Sequence, residues 1–156
     1  DAYRGLPHDI FSFTMLQEIL ARSLGIGIGP YQHMVGSLHI YSDQTRNDKN
    51  RCDMFLSEGY QSNIEMPQMP SGDPWESINF LLTAEKSLRE KGGLSTDYER
   101  LDSYWKDLIH LLEAFSSKKK MKPEFYDDIK NRIHNPIYHV YINKLRDSRL
   151  NNGIPT

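Results

Sequence analysis

Between positions 7 and 24 almost every residue is apolar. Ile10, Phe11, Phe13, Met15, Leu16, Ile19, Leu20 and Leu24 leave hardly any polar face, with Gln17, Glu18 and Arg22 interrupting it late. Pro7 suits a first helical turn, because its missing N–H would have no intrahelical partner there. Asp9 is expected in the same turn, where the helix dipole favours an anion, and Gly25 stands where a left-handed C-cap is expected. A helix that is apolar nearly all round is expected to be buried. The spacing therefore predicts a core helix over 7–24, crossing something larger than itself.

The residues after it change character. Gly25-Ile26-Gly27-Ile28-Gly29-Pro30 reads as a turn. It is not a phosphate-binding loop, because the helix precedes it and an extended stretch follows, the reverse of that arrangement. Residues 31–41 alternate, with Tyr31, His33, Val35, Ser37, His39 and Tyr41 on one side and Met34, Leu38 and Ile40 on the other. That pattern predicts a strand on which His39 and Tyr41, two apart, point the same way. A polar helix is expected over 43–57, closed by Gly59.

From 61 to 72 the run Met66-Pro67-Gln68-Met69-Pro70-Ser71-Gly72 reads as a linker. Beyond it the pattern is helical. A helix is expected over 73–91, with Trp75, Ile78, Leu82 and Leu88 as its apolar side and Gly92-Gly93 as its stop. Ser95 or Thr96 can cap the next, in which Tyr98, Leu101, Trp105, Leu108, Leu112 and Phe115 keep a 3.6-residue period. Two shorter helices follow over 123–135 and 137–145. The expected organisation is one α/β region over 1–60, a linker over 61–72, a helical appendage over 73–148 and a frayed tail over 149–156. The fold class is thus read as α+β.

Composition excludes several roles. The 156 residues carry a net charge of −2, which argues against nonspecific nucleic-acid binding. The short run Lys118-Lys119-Lys120 with Lys122 reads as a solvated loop or helix end. No stretch is apolar enough to span a membrane. The single cysteine, Cys52, fits a reducing compartment, and a cytoplasmic location is expected. His134 and His139 lack metal-ligand spacing, so no metal is expected. The chain opens on Asp1 without a methionine, which suggests that preceding sequence has been lost.

Two stretches, Asp1-Ala2-Tyr3-Arg4-Gly5-Leu6-Pro7-His8-Asp9 and Gly36-Ser37-Leu38-His39-Ile40-Tyr41, carry a resemblance. In order and spacing they resemble the C-terminal half of the thymidylate synthase family, in which Gly-Leu-Pro-Phe-Asn enters a buried helix and Gly-x-x-His-x-Tyr ends the next strand. The resemblance covers the first 41 residues and does not extend beyond about residue 57. It implies one-carbon transfer to C5 of a pyrimidine nucleoside monophosphate, with 5,10-methylene-tetrahydrofolate as cofactor, in a homodimer. His39 and Tyr41 would then hydrogen-bond the sugar 3′-hydroxyl, and Asp9 would face the base at N3 and position 4. Asp1 would be the catalytic carboxylate tied to proton transfers. Gly5 and His8 would lie beside the folate.

The sequence departs from the family in two ways. The nucleophilic Pro-Cys motif is not present, and Cys52, in Arg51-Cys52-Asp53, has neither its context nor its position. The chain is therefore expected to be inactive alone and to be part of a larger enzyme. Asp9 also stands where thymidylate synthases carry Asn, as in the family's deoxycytidylate hydroxymethylases. A carboxyl group holding a proton donates to cytosine N3 and accepts from its 4-amino group, which tilts the expected substrate toward a cytidine nucleotide. The rival reading is a noncatalytic, helical protein-interaction module that carries a vestigial family segment.

Overall fold

The first helix, α1, spans Gly5–Leu24 and starts two residues earlier than the position of Pro7 suggests. Asp1 sets the start. Its carboxylate Oδ1 accepts the backbone N–H groups of Tyr3 at 3.0 Å and Arg4 at 3.1 Å, and its carbonyl accepts the N–H of Leu6 at 2.9 Å. Pro7 still falls in the first turn, where no N–H is needed. Asp9 moves to the second turn, beyond the strongest part of the helix dipole, and no acidic residue remains in the first turn. At the far end Gly25 is left-handed (φ 65°). Its N–H reaches the carbonyl of Arg22, and the N–H of Ile26 reaches that of Ala21. This double bond pattern, a Schellman motif, satisfies two carbonyls that a helix end otherwise leaves open.

The computed structural model describes residues 1–41, 47–59, 64–94, 97–116 and 122–151, with side chains described as far as 148. Residues 43–46 of the expected second helix, residues 60–63, the caps proposed at Ser95 and Thr96, the lysines 118–120 and the tail beyond 151 lie outside the described residues. The chain divides into two compact units, Asp1–Glu65 and Met66–Thr156.

The α+β expectation is corrected. Every regular element among the described residues is helical, and 31–41 forms no strand. The alternation in that stretch is present, but a strand is stabilised by a neighbour that completes its ladder. No other described segment of this unit supplies one. Met34, Leu38 and Ile40 are accordingly all exposed.

The buried-helix expectation for α1 is corrected too. Of its residues only Ala21 is buried. Phe13, Leu16, Leu20 and Leu24, which fall on one stripe, are 55%, 49%, 49% and 69% exposed. The polar Thr14, Gln17, Glu18 and Arg22 are less exposed than that stripe. Gln17 donates to the carbonyl of Gly29, and Arg22 pairs with Glu18 across one turn at 3.6 Å. The helix presents its apolar side outward, the reverse of a helix packed on its own core. The second helix, α2 (Asp48–Ser57), buries only Asp48.

The second unit contains α3 (Trp75–Lys91), α4 (Ser103–Ser116), α5 (Pro123–Arg132), a 3-10 turn over Pro136–Tyr138 and α6 (His139–Asn151). Helix α3 packs on α4, and α5 and α6 pack on each other and on α4. Ala114, Tyr126, Ile129, Ile133, Tyr138 and Ile142 form the core. Asp102 caps α4 by accepting the N–H of Tyr104 at 2.9 Å. Gly92 ends α3 in the left-handed region, φ 72°. The expected apolar sides are shifted by a fraction of a turn. Trp105 and Leu88 are buried, whereas Trp75, Leu82 and Phe115 stay exposed and the small residues Ala84 and Ala114 lie inside.

Polar side chains hold this unit together as well. Asp107 is almost fully buried on α4. Its Oδ1 accepts the backbone N–H of His134 at 2.8 Å, and its Oδ2 accepts that of Asn135 at 2.8 Å. The carboxylate thereby fixes the turn between α5 and the 3-10 segment. Nearby, Arg132 of α5 pairs with Glu113 of α4 at 3.1 Å and approaches Nδ1 of the buried His110 at 3.3 Å.

Candidate functional site

The residues singled out by sequence gather in part at the N-terminal end of α1. The N–H of Ala2 donates to the carbonyl of His39 at 2.8 Å. This bond joins the stretch before α1 to the stretch ending at Tyr41, forty residues of chain being brought back onto its own start. The rings of His39 and Tyr41 meet edge to face with centroids 4.8 Å apart. Eight residues earlier in the alternation, Tyr31 and His33 also pair, with tilted rings and the Tyr31 hydroxyl 2.6 Å from His33 Nδ1.

Asp1 and Gly5 sit at this end. A Cβ at Gly5 would meet Asp1 Cβ at 3.6 Å, an ordinary contact, so glycine there is not required by crowding within the chain. The Asp1 carboxylate is turned onto the backbone of residues 3 and 4. The side chains of His8 and Asp9 are exposed on α1 and have no hydrogen-bond or ion-pair partner among the described residues. The structure thus brings His39 to Ala2 and Tyr41 to His39, places Asp1 beside Gly5, and leaves His8 and Asp9 facing solvent. Cys52 is half-buried on α2, between the exposed Arg51 and Asp53.

One pair at this end was not singled out as a site by its spacing. Arg4 donates from Nε at 2.9 Å and from Nη2 at 2.7 Å to Oδ1 of Asp48, the first residue of α2. The Asp48 side chain is fully buried. Forty-four residues separate the partners, so no local pattern links them. The available signal was the cation itself, standing in an otherwise apolar entry to α1.

The second unit has its own polar cleft, of about 270 Å3, lined in part by Tyr104, Asp107, His134, Asn135 and Tyr138. His134 Nδ1 lies 3.1 Å from Asp107 Oδ1. A carboxylate can only accept, so Nδ1 carries the proton there. Burial and the charge of Asp107 both push the Tyr138 hydroxyl above its ordinary pKa. Asp107 was not legible as a buried group, because nothing in the sequence near it marks the distant backbone N–H groups of His134 and Asn135 as its partners. No group of three or more His, Cys, Asp or Glu among the described residues is arranged to hold a metal ion. No described helix is long and apolar enough to cross a membrane.

No family model matches the chain. A stretch of 51 residues, 33% of the chain, is 29% identical to the thymidylate synthase of Listeria monocytogenes. The thymidylate synthase of Listeria innocua matches to the same extent. In both cases the chain covers 16% of the enzyme's length. One third of this chain is therefore similar to a small part of thymidylate synthase.

Proposed function

We propose that residues 1–41 are the nucleotide-reading segment of a pyrimidine C5 one-carbon transferase of thymidylate synthase type. The observation that carries this reading is the Ala2 to His39 bond. It joins the two stretches that bear the motif, with Tyr41 packed on His39. The partial similarity to two thymidylate synthases supports it independently. In this reading His39 and Tyr41 hold the sugar hydroxyl, and Asp9 reads the base. A protonated Asp9 carboxyl would donate to cytosine N3 and accept from the 4-amino group, whereas uracil offers the opposite pattern. The nucleotide is then dCMP in preference to dUMP.

The chain supplies the reader and not the nucleophile, since its cysteine lies on the exposed helix α2. Of the residues assigned to the folate, His8 is exposed and Gly5 lies beside Asp1, whose carboxylate accepts from the backbone of residues 3 and 4. The outward apolar stripe of α1 fits a segment whose remaining fold is provided by further protein.

The test is a titration with dCMP, CMP and dUMP, followed by calorimetry and by NMR signals of His39 and Tyr41. Cytidine nucleotides should bind ahead of dUMP. Asp9→Asn should shift the preference toward dUMP by about 1–3 kcal/mol for each mispaired contact. An unchanged preference in that variant would sink the role of Asp9. Signals of His39 and Tyr41 that ignore all three nucleotides would sink the reading as a whole.

A further inference from the structure

We infer that Asp48 is a positioning residue for the site at the start of α1, acting through Arg4; the inference rests on the nucleotide-reading role proposed for that site. Four observations make a chain of contacts. Asp48 is fully buried, and its Oδ1 takes two donors from the Arg4 guanidinium. The backbone N–H of Arg4 donates to Asp1 Oδ1, as does that of Tyr3. The carbonyl of Asp1 accepts the N–H of Leu6 and so sets where α1 begins. Between these anchors Ala2 donates to His39. The guanidinium therefore fixes the residue whose own backbone orients the Asp1 carboxylate, and the short turn so fixed carries the donor that holds His39.

Burial shows why this pair matters more than an ordinary surface ion pair. The other residues of α2 are exposed, apart from the half-buried Cys52. Apolar packing gives α2 little hold, and the charge-assisted bonds of Arg4 attach its first residue. Such bonds, between a planar guanidinium and a buried carboxylate, are directional as well as strong. Lysine could restore the charge but not the two-donor geometry.

The experiment measures amide hydrogen exchange at Ala2, Tyr3 and Arg4 together with dCMP affinity, in the unaltered chain and in Asp48→Asn, Arg4→Met and Arg4→Lys. Asp48→Asn and Arg4→Met should speed exchange at Ala2 and weaken dCMP binding by about tenfold each, the scale of one lost charge-assisted bond. Arg4→Lys should lie between them and the unaltered chain. Exchange within the Ala21–Ile26 helix end should not move, which separates positioning from general loosening. Should Asp48→Asn unfold the first unit, circular dichroism reveals it, and Arg4→Lys then carries the comparison. Ala2 exchange that is unchanged in both Arg4→Met and Asp48→Asn overturns the inference. Faster Ala2 exchange in a chain that binds no dCMP refutes the nucleotide reading while upholding the coupling of Asp48 to Ala2.

Discussion

Replacing Asp107 by asparagine tests how the helical unit is held together, because the change keeps the shape and removes the charge. Asp107 accepts three donors: the N–H of His134 and its Nδ1 on one oxygen, and the N–H of Asn135 on the other. An amide keeps one acceptor oxygen and turns an NH2 toward a donor it cannot satisfy. Losing a hydrogen bond to a charged group costs about 1.5–3 kcal/mol, and the surviving bonds weaken as they become neutral, so the total is about 2–4 kcal/mol. For a domain of roughly 60–100 residues each kcal/mol moves the midpoint by about 4–8 °C, so Tm should fall by about 8–32 °C. Fluorescence of Trp105, only 4% exposed on the same helix, follows the transition. Asp102→Asn is the matched control. Asp102 is exposed and caps α4, and asparagine caps a helix as well as aspartate does. If Asp107→Asn costs no more than Asp102→Asn, burial of the carboxylate is not what makes the turn rigid, and the reasoning fails.

Burial pushes the Glu113 carboxyl up, but hydrogen bonds from His110 and Arg132 and the charge of Arg132 outweigh it, leaving the group below its ordinary value of 4.5. A carboxyl held low stabilises the fold above its unfolded pKa, and that contribution disappears as pH falls through the folded value. Glu113→Gln should therefore lower Tm near pH 6, and the gap to the unaltered chain should close below about pH 4.5; thermal melts across pH 3–6 that show a constant gap contradict this. On α1, Leu16→Lys with Leu20→Lys should leave the melting of the chain within about 0.5 kcal/mol, since both residues are half exposed. The same pair should abolish concentration-dependent association in sedimentation, because an apolar stripe of this kind is a contact surface; association that persists in the double variant would place the contact elsewhere.

Local chemistry was the legible part of the sequence. Gly25 and Gly92 end their helices in the left-handed conformation that glycine adopts at little cost, and Pro123 opens α5 at a position where proline lacks nothing. These signals depend on a few neighbouring residues, and nothing distant can override them cheaply. The side of each helix that is buried was legible only roughly. Phe115 and Leu82 continue an apolar period yet remain exposed, while Ala84 and Ala114 are buried. Period alone does not tell which members of a wide apolar face a neighbouring helix covers, and close helix contacts favour the small ones.

The first unit differs in kind. The apolar run of α1 and the alternation of 31–41 report what those segments are suited to bury and to pair with, and neither property is satisfied by the described residues. A strand pattern needs a second strand, and an all-round apolar helix needs something on every side. What closes this unit is instead polar and specific: the Asp1 turn, the Ala2 to His39 bond and the Arg4–Asp48 pair. Those contacts fix one end of α1 and leave its apolar stripe open. The end they fix is the end that carries the stretches 1–9 and 36–41. A segment whose polar end is ordered while its apolar flank stays exposed among the described residues is suited to an apolar contact on that flank, and the role proposed above for residues 1–41 needs only the ordered end.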